Sequence, residues 1–159
     1  MAKNIVVCLD GSTLAEQILP FVKDQAKGIG AKLILLQVIG GTTQVLSTAS
    51  LEAGMMVSPT GADIALSLEQ MNAIKDDVQR YLDGHVEELK RDGIEAEGVI
   101  VDGKAGPAII EYSIANDAYM IAIVTHGRSG IGKAVYGSVA DYVLKNSGIP
   151  TLVFKPKDN

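Results

Sequence analysis

The strongest constraint on the fold is a set of five short apolar runs whose apolar residues are mostly consecutive. They are Asn4–Leu9 (NIVVCL), Lys32–Ile39 (KLILLQVI), Ile94–Val101 (IEAEGVIV, less apolar at its start), Tyr119–Val124 (YMIAIV) and Pro150–Phe154 (PTLVF). A strand with one wet face alternates apolar and polar residues. A strand covered on both faces reads as a continuous apolar run. Between the runs lie stretches of helical spacing. In Thr13–Lys27 the apolar residues Leu14, Ile18, Leu19, Phe21 and Val22 recur with helical spacing. Pro20 is expected to kink that helix, and Gly28 and Gly30 to end it. From Leu66 to Arg91, Leu68, Met71, Ile74, Val78, Tyr81, Leu82, Val86 and Leu89 are expected to line one face of a long helix. Further helices are expected over Pro107–Asn116 and Val135–Lys145. Strands alternating with helices predict a single-domain α/β fold: an open parallel sheet with helices on both faces. Residues 42–66, rich in Ser, Thr, Gly and Ala, exceed an ordinary connection and read as a mobile flap.

Composition then narrows the function. The formal charge is −5, whereas non-specific nucleic-acid binding needs a dense basic surface. Aromatics are 4% of the chain with no Trp, so bases have few stacking platforms. There is no 18-residue apolar run to span a membrane. The first apolar run is too short for an export signal, so a cytoplasmic location is expected. Cys8 is the single cysteine, so it has no internal disulfide partner and reads as a small buried core residue. His85 and His126 stand far apart and suggest no metal site.

In an open parallel sheet, ligands bind beyond the carboxyl ends of the strands, where strand order reverses. Two segments there carry unusual chemistry. Asp10-Gly11-Ser12 follows the first run, and THGRSGIGKAVYGS follows the fourth, from Thr125 to Ser138. In the second segment, glycines at 127, 130, 132 and 137 let the backbone approach a phosphate. Gly137-Ser138 falls at a helix start, where unpaired amides and the helix dipole favour an anion. Arg128 and Lys133 add positive charge, Ser129 and Ser138 add hydroxyls, and His126 is placed to meet a phosphate or ribose. The plainer alternative is a tight turn with a basic rim. The segment is not a P-loop, because Ala134 stands where a Ser or Thr would hold magnesium. Asp10 has two readings of equal standing on mechanics alone: a cap for the first helix, or a carboxylate that accepts from an adenine amine or a ribose hydroxyl.

Taken together, these pieces resemble the universal stress protein family along nearly the whole chain. The matching segments are V-x-L-D-G-S at 7–12, LILLQV at 33–38, GKAGPAIIEY at 103–112, THGRSG at 125–130, GSVADYVL at 137–144 and SGIPTLVF at 147–154. The resemblance implies an adenine nucleotide alpha hydrolase-like sheet of order 3-2-1-4-5. It also implies a homodimer built through the last strand near Pro150–Phe154, and ATP (with AMP or ADP as alternatives) carried with Mg2+. Position by position it places Cys8, Asp10 and Val38 at the adenine. Thr125, His126, Gly127, Arg128 and Gly130 fall around the ribose and phosphates. Gly137, Ser138 and Val139 fall at the helix start that receives the phosphates. ATP-binding members carry a glycine where this chain has Val124, whose bulk adds to the pocket wall. The function so implied is a nucleotide-binding regulator of a stress response with no catalytic residue and at most slow hydrolysis. The alternative is a nucleotide-free dimeric interaction protein of the same fold, with an unidentified protein partner. An adenylate-handling enzyme would need an acidic, lysine or metal constellation that the sequence does not display.

Overall fold

The computed structural model describes residues 2–40, 61–125 and 137–157. Five parallel strands form one sheet in the order β3-β2-β1-β4-β5. They are β1 (Lys3–Cys8), β2 (Ala31–Ile39), β3 (Ala96–Asp102), β4 (Met120–Val124) and β5 (Thr151–Phe154). The helices are α1 (Thr13–Glu16), α2 (Leu19–Ile29), α3 (Gly61–Arg91), α4 (Ala105–Ala115) and α5 (Ser138–Asn146).

Two apolar clusters cover the two faces. One joins Ile5, Val7, Leu33 and Leu35 to Val22 of α2 and Leu82 of α3. The other joins Val6, Cys8, Ile34 and Leu36 to Ile109 of α4 and Val143 of α5. Neighbouring residues of β1 and β2 thus serve opposite faces, which is why the strands read as unbroken apolar runs. Gly98 lets α3 lie close on β3, since a Cβ there would stand 2.8 Å from Leu82 Cβ.

Three local expectations need correction. Pro20 does not kink one helix; it divides two. α1 ends at Glu16, and Pro20 falls in the first turn of α2, where its missing N–H costs no helical bond. Of the two glycines, Gly30 is the C-cap at φ 64°, while Gly28 lies inside α2. The apolar stripe of α3 is not wholly buried: Leu68 is 50% and Ile74 46% exposed, while Met71, Leu82, Val86 and Leu89 are buried. Residues 61–66 of the expected flap belong to α3, and its remainder, 42–60, lies outside the described residues.

Candidate nucleotide-binding cavity

The site begins where the sheet parts. β1 pairs with β4 only through Val7↔Ala122. Beyond that point β1 stays with β2 (Cys8↔Leu36), and β4 stays with β5 (Val124↔Phe154). The reversal of strand order lies between β1 and β4, because the first crossovers run one way and the later ones the other. A cavity of about 770 Å3, counting its open mouth, occupies this crevice.

Its wall draws on both core clusters. Cys8, Leu36, Val38, Ile109 and Ile123 give an apolar slot on the face covered by α4 and α5. Leu9, Ala15 and Val124, from the opposite cluster, close the cavity where β1 and β4 separate. Asp10, Thr125, Gly137 and Ser138 supply its polar rim. Burial pushes the Cys8 thiol up to about 12, so it is neutral at ordinary pH and serves as a small apolar wall.

Asp10 is not the helix cap. Ser12 caps α1, with its Oγ accepting from the Ala15 amide at 3.2 Å. Asp10 stands one step behind: its Oδ1 accepts from the Ser12 amide at 2.9 Å and from the Ser12 hydroxyl at 2.5 Å. The turn therefore fixes the Asp10 carboxylate at the mouth of the cavity.

On the other side the chain leaves β4 through Thr125. The Thr125 amide donates to Phe154 O at 2.9 Å, and its carbonyl accepts from the Gly137 amide at 2.5 Å. Thr125 is 5% exposed, and its buried hydroxyl has no hydrogen-bond partner among the described residues. Gly137 is the N-cap of α5 and offers no capping side chain. Helix geometry leaves the amides of Ser138 and Val139 without intrahelical partners. Thr125, whose hydroxyl has no partner among the described residues, and the start of α5 thus line one cavity.

Eight sequence-predicted residues meet at this cavity: Cys8, Asp10, Val38, Val124, Thr125, Gly137, Ser138 and Val139. His126, Gly127, Arg128 and Gly130 lie outside the described residues. Leu9, Ala15, Leu36, Ala105, Ile109, Ile123 and Ala140 also line the cavity and were not anticipated. Strand parity signals Leu36, two residues before Val38 on the same face, and helix periodicity links Ile109 to Ala105 one turn earlier.

Comparison with known proteins agrees with this architecture. The sequence model of the universal stress protein family matches residues 1–155. The chain belongs to the universal stress protein family. Universal stress protein MJ0577 of Methanocaldococcus jannaschii is 26% identical over 163 aligned positions, spanning 100% of this chain and 98% of that protein. The solved structure of MJ0577 superposes with a TM-score of 0.80 at 24% identity, covering 100% of this chain and 99% of the other. A universal stress protein from Archaeoglobus fulgidus, solved in complex with dAMP, gives a TM-score of 0.60 at 17% identity over 96% of this chain and 97% of the other. A universal stress protein in complex with cAMP gives 0.56 at 20% identity over 95% and 94%. Among the described residues, no helix is long and apolar enough to cross a membrane.

Proposed function

We propose that this universal stress protein is an adenine-nucleotide-binding regulator. The observation that carries the reading is Thr125, which lines the same cavity as the start of α5 and whose buried hydroxyl has no partner among the described residues. Leaving such a hydroxyl unpaired costs about 1–3 kcal/mol, a cost that a ligand oxygen removes. The apolar slot of Cys8, Leu36, Val38 and Ile109 suits a purine face, Asp10 suits its amine or a ribose hydroxyl, and the start of α5 suits a phosphate. The dAMP and cAMP complexes of two proteins of this fold support the same ligand class.

ATP is the proposed ligand, with Mg2+ entering on its phosphates and His126, Gly127, Arg128 and Gly130 completing the loop around them. Hydrolysis is slow or absent in this reading, and the role is regulatory, in a cytoplasmic stress response. Residues 1–159 form one domain of this kind, and a second copy pairs with it along β5. Val124, where ATP-binding members carry glycine, favours the second reading of a nucleotide-free interaction protein.

Thr125→Val tests the carrying observation, because the two substituted properties move in opposite directions. Stability is expected to hold or rise by about 1 kcal/mol, since an unpaired hydroxyl is lost, while ATP affinity falls roughly five- to tenfold. Unchanged ATP affinity in the variant contradicts a ligand role for the hydroxyl.

A further inference from the structure

A single-turn helix forms one wall of the cavity, and a single turn does not persist without tertiary contacts. Ala15 of α1 lines the cavity, and Ser12 ties the start of the helix to Asp10. The end of α1 is held from an unexpected direction, by the chain beyond β5. Gln17 Nε2 donates to Lys157 O at 2.9 Å, and the Lys157 amide donates to Gln17 Oε1 at 2.9 Å. The side-chain amide thus meets one backbone residue much as a neighbouring strand would. Pro156, beside it, is buried, and Phe154 packs on Phe21 of α2 with ring centroids 4.8 Å apart. Residues 155–157 therefore run from the edge strand to the α1–α2 junction.

We propose that Gln17 is a positioning residue of the cavity: by clasping the backbone of Lys157 it holds α1 in place as a wall, so the segment beyond β5 sets nucleotide affinity. The proposal rests on the nucleotide reading above. An unclasped α1 samples several orientations, and the ligand must then order it on binding, which lowers affinity without changing any lining side chain. Displacing residues 155–157 therefore weakens binding, and by reciprocity bound nucleotide strengthens the clasp.

The test uses the full chain and ATP as the probe, with wild type, Gln17→Leu and Lys157→Pro titrated side by side. The second variant removes the Lys157 amide donor, along with the lysine side chain and the backbone freedom of residues 156–157, and leaves the sequence of α1 unaltered. Each variant is expected to raise the ATP dissociation constant about three- to tenfold. Amide exchange at Ala15, Glu16 and Gln17 should quicken in both variants without ATP, while β1 and β4 keep wild-type rates. Saturating ATP should restore the α1 protection. ATP affinities like wild type, unchanged α1 exchange, or exchange quickened equally across β1 and β4 overturns the proposal. If wild type itself does not bind ATP, the nucleotide reading falls and this proposal falls with it.

Discussion

At the scale of single residues, the cavity is set by side chains whose partners are local. Ser12 does two jobs, capping α1 and holding the Asp10 carboxylate. Ser12→Ala is expected to cost about 1 kcal/mol of stability. It should also weaken ATP binding, read by thermal melting and titration of the same sample. Val124 is 8% exposed and packs in the cluster opposite α4 and α5. Val124→Gly should lower stability by about 2–3 kcal/mol through lost packing and added backbone freedom, and it should tighten ATP binding. Binding that appears only in the glycine variant would favour the nucleotide-free reading. Cys8 gives a pH prediction. Its thiol is raised from 9.0 to about 12 in the fold, so the native state keeps a proton that the unfolded chain sheds above pH 9. The contribution of Cys8 is intact below pH 9 and is lost at about 1.4 kcal/mol per pH unit as pH rises toward 12. Cys8→Ala should therefore show a shallower loss of stability than wild type between pH 9 and 11 in denaturant titrations.

Among elements, the approach of α4 to α5 shapes the cavity as much as any lining side chain. Gly106 sits in the first turn of α4 against Tyr142 of α5, where a Cβ would stand 2.5 Å from Tyr142 Cδ1 and 2.9 Å from Cγ. Those atoms lie at the root of the ring, so the 40%-exposed Tyr142 side chain must turn about χ1 or α5 must shift. Gly106→Ala is expected to cost about 1–3 kcal/mol through the displaced Tyr142 contact. Equal melting temperatures for variant and wild type would contradict this packing account. The strands were legible in the sequence because burial on both faces leaves a run of apolar residues that little else produces. Helix ends were less legible. Pro20 was visible, but whether it kinks one helix or separates two depends on how α1 meets Glu16–His85 and Gln17–Lys157, contacts made far along the chain. Leu68 and Ile74 share the period of Met71 and Leu82, and periodicity cannot reveal how far along α3 the sheet extends beneath it. The polar rim was readable from Asp10, Thr125 and Gly137-Ser138. The apolar slot was harder, since Leu36 and Ile109 look like any core residue until the parting of β1 and β4 exposes them to a cavity.

At the scale of the whole fold, β5 is the last strand of the sheet among the described residues. Pro150 O and Phe154 O accept from the amides of Ile121 and Thr125, so these residues turn their backbone toward β4. In a parallel ladder the intervening residues, Thr151 and Val153, direct theirs to the open edge. Val153→Pro should then block pairing of a second copy along this edge while sparing the bonds to β4. Light scattering at micromolar concentration is expected to show a dimer for wild type and a monomer for the variant. A wild-type monomer would contradict the edge-pairing account. The central claim is that the crevice between β1 and β4 holds an adenine nucleotide. Calorimetric titration of the wild-type chain with ATP and magnesium tests it most directly. The account predicts saturable binding of one nucleotide per chain, and the absence of binding at millimolar ATP would contradict it.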